Sequence, residues 1–352
     1  MNFVSVNIIC LNLLVLILSD VIVVVIVSRI SQCGGTGLMN STNKKMWGSN
    51  ALLLVVACIW GFAFVAQKVG NEYIGPFTFN GIRFLLGSIS LLPLIFAFSF
   101  LSKRKNQEPN NHEKVELTDI DKHKSSKYVI MAGLICGAIL FTGASLQQIG
   151  LMYTTAGKAA FVTGMYIVLV PIFGLFLKKR VGLFAAIGAV VAILGLFFLC
   201  IGEEFTISKG DWLQLVGAVF WALHILVIDH FSKRVDALKL SSLQFAVCGI
   251  LSLIVAVATE TISMSAIFQA ATPILYGGLG SVGIAYTLQV VAQKHANPSH
   301  AAIIMSTESL FAVIGGALIL NEVLLERQIL GCILMLAGML LSQLQSFKAK
   351  KV

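Results

Sequence analysis

Charge is scarce in this chain of 352 residues, with Asp, Glu, Lys and Arg together making up only 12% of it. Soluble globular domains carry about twice that share, so a soluble enzyme or binding domain is excluded as the whole. The seven cysteines contain no CxxC pair, and six of them lie inside apolar runs. They read as small core residues, neither metal ligands nor a disulfide framework. The histidines show no HExxH or other ligand spacing, so no metal and no cofactor is expected. Alternation of apolar and polar residues at every second position is also missing, which excludes a porin-like barrel.

What the chain has instead is apolar length. Hydrophobic residues make up 57% of it and the mean hydropathy is +0.91. Runs long enough to cross about 30 Å of hydrocarbon recur from end to end. The fold class is therefore an all-α integral membrane protein. Ten transmembrane helices are expected at 50–67, 78–101, 129–150, 156–177, 181–201, 211–231, 239–258, 272–293, 298–319 and 327–346. Most connections are short; 102–127 is polar, mixed in charge, and reads as a flexible loop.

The net charge of +9 lies in those short connections, which argues against a nucleic-acid partner and for topology. Nineteen basic residues fall on one side of a ten-span body, including Lys178-Lys179-Arg180, Lys233-Arg234 and the tail Lys348, Lys350 and Lys351. Only Lys68, Lys158, Lys209 and Arg327 fall on the other. The positive-inside rule then expects both termini of the body in the cytoplasm and the protein in the cytoplasmic membrane.

Residues 1–45 fit this pattern badly. Their apolar run is interrupted by Asp20, and no basic residue precedes it, unlike a signal peptide. Met39 offers a more natural start, with the upstream run as a translated leader; the alternative is a genuine extra helix.

The body repeats internally. KAAFVTGMYIVLVPIFG (158–174) aligns with HAAIIMSTESLFAVIGG (300–316), and the Gly188/Gly195 pair matches Gly331/Gly338. Two repeats of five spans, 47–201 and 211–347 with a linker at 202–210 and a basic tail at 348–352, would enter the membrane from opposite sides. Such inverted repeats characterise secondary transporters, whose site lies near the midplane between them.

The residues also resemble a known family. ACIWGFAFVAQK in the first span, GPFTFNGIRFLLG entering the second, LMYTTAGKAAFVTGMYIVLVPIFG at the fourth and STESLFAVIGGALILNE at the ninth are similar to EamA-type permeases of the drug/metabolite transporter superfamily. The resemblance covers about 47–346. It implies a ten-helix inverted-repeat carrier with a central cavity, often exporting amino acids or other small metabolites. Many relatives end the fourth span with an acidic residue mirroring Glu322, where this chain has Lys178-Lys179-Arg180.

Several residues are candidates for the cavity. Glu308 stands mid-span, where a carboxylate costs about 2.5–3.5 kcal/mol on insertion scales. It either binds substrate or cycles a proton, or it locks its helix to a neighbour by a hydrogen bond. The repeat alignment sets Tyr166 opposite it. Arg83 at the head of the second span either snorkels to the external interface or meets an anionic substrate or gate carboxylate. His224 and Trp221, one turn apart, suit a cavity wall or ordinary packing, and Trp60 stacks on substrate or only packs. Asn80, Gln148 and Gln289 lie close to helix ends and read as interfacial.

Three apparent motifs carry nothing. GLGSVG (278–283) has no preceding strand and reads as close helix packing. Gly157-Lys158-Ala159 lacks the Ser or Thr of a phosphate loop. Asp229-His230, the nearest approach to a catalytic pair, lacks a third partner. The sequence therefore points to a small-molecule transporter with no nucleotide site, driven by a substrate gradient, exchange or protons. An intramembrane acyl or lipid transferase and a non-transporting sensor or subunit are the alternatives.

Overall fold

The computed structural model describes residues 41–105, 119–176, 183–200, 207–293 and 298–348, and their regular secondary structure is helical throughout. The apolar leader and the Met39 start lie outside the described residues. The helices are α1 (Ser41–Gly70), α2 (Pro76–Lys105), α3 (Asp119–Gly150), α4 (Ala156–Thr163), α5 (Tyr166–Phe176), α6 (Leu183–Cys200), α7 (Lys209–Ser232) and α8 (Ala237–Thr259). After the short α9 (Met264–Gln269) and α10 (Ala271–Leu275) comes a π-helix, Tyr276–Tyr286, which runs into α11 (Thr287–Gln293). Then follow α12 (Pro298–Met305), α13 (Glu308–Leu320) and α14 (Glu326–Lys348).

Among the described residues, seven segments are long and apolar enough to cross a membrane, and two apolar helices, Ile187–Leu199 and Glu308–Leu320, are shorter. The bundle is apolar outside and polar within. Phe96, Val257 and Leu318 are among many large apolar side chains left exposed, while Asn80, Gln148, Gln214, Gln244, Ser252 and Gln293 are buried. This suits a lipid surround, where apolar side chains need no cover and polar ones seek partners between helices.

Two expectations are corrected here. The stretch 102–127 is not loop throughout: α2 extends to Lys105 and α3 begins at Asp119. A helix already nucleated in the apolar run continues its hydrogen bonds into polar sequence at little cost. The fourth and ninth spans are not continuous helices but break at Gly164–Met165 and Ser306–Thr307. Each break tightens to i→i+3 bonding at aligned positions. Met165, Ile167 and Val168 donate to the carbonyls of Val162, Gly164 and Met165; Thr307, Ser309 and Leu310 donate to those of Ile304, Ser306 and Thr307. The hydroxyls of Thr307 and Ser309 take further local carbonyls, which keeps backbone polarity satisfied where the ladder is interrupted.

Glycine sets the closest approaches. A Cβ on Gly195 would meet the Met335 backbone at 2.6 Å and the Gly331 carbonyl at 2.7 Å; one on Gly338 would meet the Gly188 carbonyl at 2.5 Å. The matched glycines of the two repeats thus face each other, and α6 and α14 pack backbone to backbone. Gly278 and Gly283, inside GLGSVG, abut Leu86 and Ser90 of α2. Helix neighbours interleave the two sequence halves: α1 packs on the π-helix and α13, α7 on α3 to α5, and α2 on α8.

Candidate functional site

The two helix breaks aim their first residues at each other. Tyr166 opens α5 and Glu308 opens α13, and the Tyr166 hydroxyl donates to Glu308 Oε1 at 3.0 Å. Both side chains are buried and line one cavity together with Trp60, Arg83, Trp221 and His224. All six candidates therefore meet at one place, drawn from five helices. The free volume of the cavity, about 40 Å³, holds a few waters but not a metabolite. Admitting one requires the surrounding helices to part.

One wall is aromatic and centres on Tyr286. Its ring lies 4.6 Å from that of Trp60 and 6.2 Å from the nearly parallel ring of Trp221. The imidazole of His224 meets it edge-on at 6.2 Å. Trp60 Nε1 donates to the carbonyl of Ser281, and the Tyr276 hydroxyl donates to that of Ile59. These bonds tie α1 to the π-helix, and π segments are frequent at functional sites. His224 Nε2 pairs with Gln244 Oε1 at 3.0 Å, which fixes its ring plane.

Arg83 does not snorkel. Its side chain is 2% exposed, held between the faces of Phe79 and Phe84, with Nε donating to Asn80 Oδ1 at 3.0 Å. Among the described residues no carboxylate pairs with it. A guanidinium packed against rings and hydrogen-bonded on one edge keeps its other donors for the cavity it lines. Asn80, Gln148 and Gln289 are likewise buried in the bundle, not at an interface. Asn80 Nδ2 donates to the Ala144 carbonyl. Gln148 exchanges hydrogen bonds with Asn71 and reaches the Gln67 carbonyl. Gln289 lines the cavity. Their positions near predicted helix ends misled because the bundle buries helix ends as well as middles.

Sequence reading missed Tyr286, Gln67, Gln147, Thr163 and Ser281, all of which line the cavity. Polar groups inside apolar spans are the signal that would have found them. Trp221 Nε1, Gln67 Oε1 and Gln289 Oε1 are buried with no protein partner, so the wall offers donors and acceptors as well as ring faces. The cavity thus combines one carboxyl, one guanidinium, neutral donors and acceptors, and an aromatic box. Elsewhere, Asp229 is taken up by Lys233 at 2.6 Å and His230 by Arg234, and both lie on one helix.

A model described as the EamA-like transporter family matches the chain twice, at residues 47–201 and 208–344. An uncharacterized transporter of Archaeoglobus fulgidus is 29% identical over 328 residues, covering 91% of this chain and 92% of its own. The uncharacterized transporter YoaV of Bacillus subtilis is 23% identical over 306 residues, covering 85% and 98%. One crystal structure shares the fold with a TM-score of 0.61 at 16% identity, over 86% of this chain and 98% of that one.

Proposed function

Since this chain belongs to the EamA-like transporter family, we propose that it is a secondary active transporter that exports small metabolites or amino acids across the cytoplasmic membrane. It is a multi-pass helical membrane protein of the drug/metabolite transporter superfamily. The finer reading is ten spans in two inverted five-helix repeats that alternate access to the cavity around Tyr166 and Glu308.

The observation that carries this reading is the Tyr166–Glu308 pair itself. Two discontinuous helices, broken at aligned residues, put their first side chains into one buried cavity, as transporter folds do at the midplane. The main helix contacts support the repeat, because they recur when the halves are exchanged. The packing of α1 on α13 corresponds to that of α7 on α4 and α5, and α2, α6 and the fourth span each meet their own counterpart. Glu308 is the one carboxyl among the described lining residues, so a coupling proton would use it. Arg83 supplies the countercharge for an anionic group on the substrate. A guanidinium buried without an acid is costly until such a group arrives.

The test is metabolite profiling of medium and cell extracts from cells expressing the protein, its Glu308→Gln variant or an empty vector, at matched membrane levels. A compound whose distribution shifts with the wild type alone supports transport with Glu308 in the mechanism. A shift shared by the variant returns Glu308 to a structural role. No shift in any arm defeats the transport reading.

A further inference from the structure

We infer that Glu260 and Glu322 are latches that hold one mouth of the cavity shut, and that their release is a step of the transport cycle. The inference rests on the alternating-access reading above. Each carboxylate comes from the second matched half and grips the opening turn of a helix in the first. Glu260, just past α8, accepts from the backbone N–H of Phe77 at 2.8 Å through Oε1, and from the N–H and hydroxyl of Thr78 at 2.8 and 2.7 Å through Oε2. Glu322, just past α13, accepts from the N–H of Ala156 at 2.8 Å and that of Gly157 at 3.2 Å.

The first N–H groups of a helix have no intrahelical acceptor and carry its positive dipole end. A carboxylate from another helix satisfies both, yet water can replace each bond when the helices part. Such a contact is strong enough to bias a state and weak enough to cycle.

Local backbone is shaped for both grips. Asn321 adopts φ 55°, the one positive φ at a non-glycine among the described residues, and the Glu322 N–H returns to the Gly316 carbonyl. This left-handed helix ending turns the Glu322 side chain back over Gly316. A Cβ on Gly316 or on Gly75 would collide with the carboxylate of Glu322 or Glu260 respectively. Two glycines therefore keep the two latch seats clear.

Both grips lie at the same face. The joints 71–75 and 151–155 precede α2 and α4, and α2 and α3 between them cross and return. Two further ties close that face: Lys68 Nζ donates to the Leu151 and Thr154 carbonyls, and Asn71 is locked to Gln148. By the distribution of basic residues the latched mouth is external, so this conformation is shut toward the outside.

The test needs no known substrate. All native cysteines are replaced, and Ala63→Cys places one thiol in the cavity wall. A membrane-impermeant methanethiosulfonate is then added outside intact cells. Glu260→Gln and Glu322→Gln should each raise the labelling rate several-fold, and the double variant more. Gly75→Ala and Gly316→Ala, which keep both carboxylates but take their seats, should do the same. Unchanged labelling in a double variant that still elutes as a folded monodisperse protein would overturn the inference and leave both residues as simple helix caps. An increase with Glu322→Gln alone would overturn the paired latch. Labelling that responds while profiling finds no exported compound would count against the transport reading and not against the latches.

Discussion

Tyr166 and Glu308 are each the first residue after a helix break, and they are joined by a 3.0 Å hydrogen bond across the two repeats. The bond takes one lone pair of one carboxyl oxygen and leaves the rest of the group to the cavity. It therefore orients Glu308 without consuming it. Tyr166→Phe removes the donor while keeping the ring. Transport should persist with at least a several-fold loss, and the expressed, folded fraction should match wild type. Initial-rate measurements against substrate concentration check this; an unaltered rate would show that the hydroxyl does not position the carboxyl.

Arg83 separates charge from geometry. Arg83→Lys keeps a cation but loses the planar fork and the stacking on Phe79 and Phe84. Arg83→Gln loses the charge. If the substrate's anionic group pairs with the guanidinium, Lys should retain part of the transport of the exported compound and Gln none. Loss of a buried charge pair of this kind costs about 2–5 kcal/mol of binding, read as a rise in half-saturation. Equal transport in all three would remove Arg83 from substrate recognition.

Lys158 Nζ lies 2.6 Å from Asp211 Oδ2, and the aspartate is 1% exposed. The other carboxylate oxygen accepts from the Thr154 hydroxyl at 3.1 Å. Lys158→Met leaves a buried carboxylate without its cation, a loss of about 3–5 kcal/mol. The variant should melt well below wild type in detergent. The paired change Lys158→Met with Asp211→Asn should recover much of the difference, because no charge is then stranded.

The α6–α14 seam has no room for side chains. Gly338→Val would drive its methyls into the Gly188 carbonyl and the Ala192 backbone, where neither can yield. Overpacking of this kind costs about 1–3 kcal/mol or more. Folded yield by fluorescence-detected size exclusion should fall sharply. The same change at Gly48, which meets nothing within 4 Å, should leave the yield near wild type.

Much of the molecule was legible in order of residues alone. Apolar length and scarce charge specify a membrane bundle, because the bilayer tolerates nothing else over about 20 residues. The repeat alignment set Tyr166 over Glu308, since sequence similarity between halves reports equivalent places in them. A lone glutamate amid apolar residues marked the cavity for a similar reason: its cost demands an enclosed partner. What the order of residues did not reveal depends on contacts between distant segments. The helix breaks sit within long apolar stretches, so span length alone did not show them, although Gly164 and the Ser306-Thr307 pair stand at the breaks. Arg83 looked free to snorkel until α8 and the π-helix closed over it. Tyr286 was one aromatic among many until a π-helix, held by Trp60 and Tyr276, turned its ring into the wall. Nothing in the order of residues marked Glu260 and Glu322 as partners of other helices, and only the tertiary fold could seat their carboxylates on helix ends more than 160 residues away in the chain. Hydrophobicity is local and additive, so it shows in the sequence; partnership between polar groups is neither, and only the folded chain decides it.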